Sequence, residues 1–340
     1  MTRHTCNSYR FPRSGASRYW RSLFLVGLMT LAAIGSVNTA AAQASHFVPI
    51  HECGAIINAP GEYSLTQSLH SSSYVTPCIQ IVSPGVLITS KGYDLIGPGG
   101  SEVVSAGIRI YASASGAQLN FGGSTIKGFG IGILVEASGV SLVGGQNGIT
   151  VTENAAQGIL VSNASSVSIE GMNANSNGAA GLELSHASGV TVQDNSFVQF
   201  NAGHGLWLHS SSGNQFFDLE SSGNKLNGIY VGETGAKTET EATAKFELPG
   251  GVPARWSNPT SGASRPSDPD GSKNNVFIGG AAIENGASGI FIGSGDFRNI
   301  VVDMSAQSNE DKDLTDANGS CNANTWSSNL FTSAAPSCIR

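Results

Sequence analysis

Charge and aromatic side chains are both scarce in this chain: 12% of its 340 residues are charged and 7% are aromatic. Basic residues are the scarcer sign, 17 Lys and Arg against 24 Asp and Glu, and the net charge of −7 is wrong for a phosphate backbone. That argues against a nucleic-acid partner. The 44 glycines do not fall at every third position, which excludes collagen, and an apolar share of 40% excludes a fully disordered chain. One long apolar run exists, Leu23 to Val37, and its 15 residues fall short of the roughly 20 that a membrane-spanning helix needs. Neither a C-x₂-C spacing nor a His-x-His or Met-rich run is present, so no metal site is written in the sequence.

What is present begins with an address. Arg3, Arg10, Arg13, Arg18 and Arg21 precede the apolar run without an intervening acid, and Ala40-Ala41-Ala42-Gln43-Ala44 follows it. This order reads as a secretory signal peptide over residues 1–44, cut after Ala44 or Ala42, and predicts a secreted or periplasmic protein with no membrane span. Loss of the five arginines leaves 12 basic and 24 acidic residues, a net charge of −12. Such a chain is soluble and repels polyanions. Four cysteines stay, Cys53, Cys78, Cys321 and Cys338. Of three possible connectivities the local pairs Cys53–Cys78 and Cys321–Cys338 are the economical one, closing the two ends.

The middle of the chain repeats. Gly-[Ile/Leu]-x-[Ile/Val/Leu] recurs at Gly107, Gly132, Gly158, Gly181, Gly205, Gly228 and Gly289, at spacings of 25, 26, 23, 24, 23 and 61. An asparagine stands four residues before the next glycine or its equivalent: Asn154, Asn177, Asn201, Asn224, Asn285 and Asn309. Each unit holds two or three short alternating strands and no helix, and cannot bury its own apolar face unless units stack. The expected fold is therefore all-β, a right-handed parallel β-helix of roughly nine coils with the asparagines forming an internal ladder. Residues 107–316 carry the repeats, after 45–106 as N-terminal cap and first coils and before 317–340 as C-terminal cap. Residues 233–273 hold Pro249, Pro253, Pro259, Pro266 and Pro269 without a sustained period; they read as a loop insertion, either a tolerated excursion or a flap over a binding face.

The run GLELSHASGVTVQDNSFVQFNAGHGLWLHSSSGNQFFDLESSGNKLNGIYV (181–231) resembles the right-handed β-helix repeat family, which includes NosD-like periplasmic proteins and carbohydrate-active β-helix enzymes. The segments from Cys53 and from Cys321 are similar to the head and tail caps of secreted members. The resemblance implies the fold and a polysaccharide or cell-surface glycan as partner. If it extends to activity, it implies a polysaccharide lyase or glycoside hydrolase. Gly203-His204-Gly205 is similar to an element of polygalacturonase-type glycosidases, but the paired aspartates and the Arg-x-Lys of that group are absent.

Candidate site residues follow from the strand period. With Ile and Val inward, the x positions face outward: Arg109, Leu134, Leu160, Glu183, Trp207, Tyr230 and Phe291, with Tyr111, Glu136 and His209 next along. Trp207, Tyr230 and Phe291 on successive coils, beside Glu183 and His209, form an exposed platform on which sugar rings could stack; the alternative is that they cover apolar surface or lie under the insertion. Asp194 and Asp218 fall at equivalent points of neighbouring coils, about 5 Å apart, the separation of a retaining-glycosidase pair; the alternatives are a shared Ca²⁺ and ordinary turn residues. No cofactor is implied, although the acid-rich stretch 309–320 has ligands suited to Ca²⁺ without the regular loop spacing. The expected protein is a monomer that binds, and in the stronger form processes, an extended carbohydrate. The competing expectations are a non-catalytic structural or adhesion protein and a NosD-like metal-associated factor.

Overall fold

Runs in which apolar and polar residues alternate are too short here for anything but strands of two to five residues, each turning its apolar side chains inward. The structure, a computed structural model, describes residues 47–233, 271–319 and 323–339. The strands form three wholly parallel sheets. Sheet A has eleven strands, from Val48–Ile50 to Thr325–Ser327; sheet B has eleven, from Ala55–Ile57 to Ala334–Ala335; sheet C has ten, from Leu69–His70 to Leu330–Phe331. From Gly61 onward the chain visits sheet A, then C, then B, and each strand pairs with the equivalent strand one coil away. This is the right-handed parallel β-helix that the repeat demands. It has one to two coils more than the nine expected, because strands before Gly107 and after Asp316 lack the Gly-Ile signature yet continue the stack.

The core is a column of the inward residues of the repeat. Ile133, Val135, Ile159, Val161, Leu182, Leu184, Leu206, Leu208, Ile229, Val231, Ile290 and Ile292 are all fully buried in one cluster. Cys53 and Cys78 are bonded between the first coils, with Cα atoms 4.1 Å apart. Cys338 is also disulfide-bonded. Its expected partner Cys321 lies outside the described residues, as do the signal segment 1–44 and most of the insertion, 234–270. The insertion leaves the stack unbroken: the strand Val276–Ile278 pairs directly with Gln215–Phe217.

Between strands the chain turns through left-handed corners of one residue or two, Asp194–Asn195 and Gly279–Gly280 being pairs. After successive sheet A strands the corner residues are Gly171, Asp194, Asp218, Gly279, Asp303 and Ser328, all at φ between 50° and 66°. Gly, Asp and Ser are the types that tolerate this conformation. At the corner after sheet C, the buried asparagines do the work expected of them. Each Oδ1 accepts the backbone N–H and the Nδ2–H of the asparagine one coil below, and each Nδ2 also donates to a carbonyl of the preceding coil. The links Asn154→Asn177→Asn201→Asn224→Asn285→Asn309 are 3.0–3.1 Å long. The repeat glycine is set by this ladder: a Cβ on Gly181 would stand 2.7 Å from Asn201 Nδ2 and 2.8 Å from the Ala174 carbonyl.

A second ladder, not expected from the sequence, runs at the corner before sheet A: Asn214→Asn275→Asn299→Asn324, with links of 2.9–3.1 Å. Both ladders end on a carboxylate. Asn309 Nδ2 donates to Asp313 Oδ1 and Asn324 Nδ2 to Asp316 Oδ2, each at 3.0 Å. The stretch 309–320 is thus no simple acidic loop, since Asp313 and Asp316 are buried. Asp313 further accepts from the hydroxyl and amide of Thr332 and from Ser333. Burial alone would raise the pKa of Asp313, but the hydrogen bonds from Thr332, Asn309 and Ser333 outweigh it and hold the group at about 2.

Two outcomes follow. Asn201→Ala strips partners from the Asn177 amide, Asn177 Nδ2 and the Ala174 carbonyl. At about 1–3 kcal/mol for each unsatisfied buried group, urea unfolding should show a loss of at least about 3 kcal/mol. The folded pKa of Asp313 lies below its ordinary 3.8, so the stability tied to it is complete above pH 3.8 and is lost as the pH falls toward 2. Asp313→Asn should flatten the acid limb of a pH–stability curve in that window; an unchanged limb would remove Asp313 from the account.

Candidate functional site

The register of sheet B brings the predicted residues into one row. Glu183 lies beside Trp207, Trp207 beside Tyr230 and Tyr230 beside Phe291 on four successive coils, with His209 paired to Ser185 one column over. Phe291 is the partly buried end of this cluster. Ring centroids are 4.7 Å apart for Trp207 and His209, and 5.3 Å for Tyr230 and Phe291. His204, from the turn before the strand, stacks on Tyr230 at 4.6 Å with the planes 8° apart. The six side chains therefore form one contiguous aromatic and charged cluster.

The platform is not exposed, which corrects the expectation drawn from alternation. Trp207 is 8% exposed, Tyr230 5% and Glu183 0%. Trp207 Nε1 donates to the Gly232 carbonyl at 3.0 Å, and the Tyr230 hydroxyl donates to the Glu233 carbonyl at 2.8 Å. The chain leaving the strand Ile229–Val231 is thus tied to the row at Trp207 and Tyr230. Strand period tells which side of the sheet a residue takes; it does not tell what lies on that side. Glu183 is a fully buried carboxylate with both oxygens engaged: Gln157 Nε2 donates to one at 2.7 Å and His209 Nε2 to the other at 3.0 Å.

His204 is no ordinary turn residue. Burial lowers its pKa from 6.5 to about 3. Its Nδ1 accepts the Asn227 backbone N–H at 3.2 Å, so the ring is neutral with its proton on Nε2. Gln157 and His204 were not singled out as site residues by their chemistry. The available signal was phase, since each stands one position before a repeat glycine, Gly158 or Gly205, and side chains there reach the same face.

Other candidates are placed apart. Asp194 and Asp218 sit on adjacent coils at the left-handed corner after sheet A, both exposed, at φ 60° and 50°. That corner belongs to a different sheet from the aromatic row, and the conformation accounts for an aspartate at both positions. Farther along sheet B, Arg109 makes a two-pronged ion pair with Glu136 at 2.8 and 3.1 Å and stacks over Tyr111. Leu134 and Leu160, buried, lie between that pair and Glu183. Among the described residues, no group of three or more His, Cys, Asp or Glu side chains converges in the manner of a metal centre.

Residues 100–244 match the family described as a right handed beta helix region. No curated protein matches the chain in sequence. Among solved structures it is similar to the Dettilon tailspike protein, with a TM-score of 0.54 and 12% identity over 80% of this chain and 51% of the tailspike. The chain thus spans about half the length of that relative. It is also similar to a periplasmic alginate epimerase, with a TM-score of 0.42 and 12% identity over 76% of this chain and 77% of the other. The catalytic domain of an α-1,3-glucanase, solved in complex with nigerose, gives 0.43 and 10% over 86% and 62%. At such identities the likeness is one of fold.

The pKa of His204 sets a pH dependence. In the unfolded chain the imidazole takes up a proton near 6.5, and in the folded state only near 3. Stability is therefore complete above pH 6.5 and falls as the pH drops toward 3. His204→Gln should remove about one proton from the uptake on unfolding between pH 6.5 and 3, read as a shallower slope of urea stability against pH. An identical slope would show that His204 already titrates in the native state.

Proposed function

We propose that this right-handed β-helix protein is exported and binds an extended carbohydrate along the outer face of sheet B, at Glu183, Trp207, His209, Tyr230 and Phe291. The observation that carries the reading is the in-register row Glu183–Trp207–Tyr230–Phe291, flanked by His204 and His209. Aromatic faces offer the stacking surface that the C–H side of a sugar ring needs, and Glu183, bonded to Gln157 and His209, holds the polar end of the row in place beside them. Parallel coils repeat about every 4.8 Å, so a row of four spans a chain of several sugar units rather than one. Occupation of the row displaces the Gly232 and Glu233 carbonyls from Trp207 and Tyr230. The Cys53–Cys78 bond fits an oxidising compartment, as does the basic–apolar–small order of residues 1–44.

A second reading is favoured by the burial of the row. On it the aromatic residues are packing, and the protein is a structural or adhesion module whose other faces meet partners. A polysaccharide and glycan array separates the two. The carbohydrate reading expects a hit that weakens at least tenfold in Trp207→Phe and Glu183→Gln, with both variants retaining the wild-type circular dichroism. A blank array, or binding indifferent to both substitutions, would leave the structural reading. Product analysis of any bound glycan, with wild type against Asp194→Asn/Asp218→Asn, decides whether turnover accompanies binding.

A further inference from the structure

We propose that the cleft at Phe200 is a second carbohydrate subsite, in which a hexopyranose ring lies against the phenylalanine face. The class of ligand rests on the carbohydrate reading above; the place does not. Phe200 is 64% exposed and lies in no apolar cluster, so it adds little to the core. It also occupies a conformation that an aromatic side chain disfavours. It stands at the left-handed corner after sheet C, at φ 55°, where the other coils carry Gly128, Glu153, Ser176, Gly223, Glu284 and Ser308. A bulky residue at positive φ is rare and costs conformational energy that packing usually offsets. At Phe200 the ring covers Gly223 on the next coil but is mostly exposed, so little burial offsets it.

The next coil makes room for the ring. Gly223 fills the equivalent corner, and a Cβ there would come within 2.6 Å of two Phe200 ring carbons. A cleft of about 450 Å³ opens beside the ring, walled by Glu153, Ser176, Gly178, Ala202 and Lys225. The depression is shallow and open to solvent, so it meets a sugar ring on one face rather than enclosing it. A single apolar ring surrounded by hydroxyl, carboxylate, ammonium and bare backbone is too small an apolar area for the core of a protein interface. It does match a pyranose, which has one C–H face and a rim of hydroxyl groups. Glu153 also meets Lys127 at 3.3 Å on the exposed surface.

Saturation-transfer NMR on the full chain tests this with two probes, cellohexaose as a neutral glycan and hexagalacturonate as an acidic one. Transfer to the ring protons of either probe is expected, and in a Glu183→Gln background, where the sheet B row is impaired, the transfer that remains should fall at least fivefold on adding Phe200→Ser. Serine already occupies this corner at Ser176 and Ser308, so Phe200→Ser should melt at the same temperature as the wild type or higher. Absence of transfer from both probes would overturn the subsite, and so would a melting temperature lower by several degrees, because the ring would then be structural. Transfer that survives Phe200→Ser but disappears in Glu183→Gln would also overturn it, while leaving the sheet B reading in place.

Discussion

The corner amide is the group on which this fold depends. A coil that turns three times takes backbone N–H and C=O groups out of the sheet ladders at each corner, and in a stack those groups face the neighbouring coil rather than water. An unpaired buried amide costs on the order of 1–3 kcal/mol, and the cost would recur at every coil. The asparagine column meets it. One side chain supplies an acceptor for the amide below, a donor for a carbonyl of the preceding coil and a donor for the next asparagine. The repeat glycines follow from the same crowding, because the carboxamide of the next coil occupies the space a Cβ would need.

A ladder of amides has a direction, and direction creates an end problem. Every Nδ2 donates toward the C-terminal coils, so the last asparagine of a column needs a partner that only accepts. Asp313 and Asp316 supply it, and no other ionisable side chain of suitable length would present acceptors alone. At the opposite ends the first oxygens are met by backbone donors, the amides of Phe129 and Val190. The same aspartates hold the final coil: Asp313 through Thr332 and Ser333, Asp316 through Asn318 and Trp326. An open sheet edge invites further strand pairing. Here the last strand of sheet B, Ala334–Ala335, is followed by Pro336, which has no N–H to offer another strand.

The first ladder was legible because its asparagines keep a fixed distance from a glycine that also repeats. The second was hidden although its spacings are equally regular, since Asn214 continues a column that begins with Val190 and reads as the start of a strand. Strand period placed Glu183, Trp207, Tyr230 and Phe291 in one row correctly, since parallel register transmits phase from coil to coil. It failed on exposure, because what lies against an outward face is fixed by no periodic signal; the Gly232 and Glu233 carbonyls that Trp207 and Tyr230 reach lie past the strand. Phe200 was invisible for a related reason. Its phase marks it as a corner residue, and only the backbone shows that the corner is left-handed and the ring uncovered.

The coils below the aromatic row show what the fold itself requires of that face. Leu134 and Leu160 occupy the same column as Glu183, are buried just as it is, and need no hydrogen-bond partners. A buried polar group carries a desolvation cost that its hydrogen bonds barely repay, and apolar residues of similar size commonly serve stability as well or better. Glu183 nevertheless stands in that column, and it requires both Gln157 from one coil and His209 from another to stay satisfied. Removing either partner would strand a carboxylate in a dry environment, so three positions are bound together by one choice that the fold could have avoided. Chemistry kept where packing offers a simpler solution is the physical reason to look for a ligand at Glu183 rather than at the leucines beneath it.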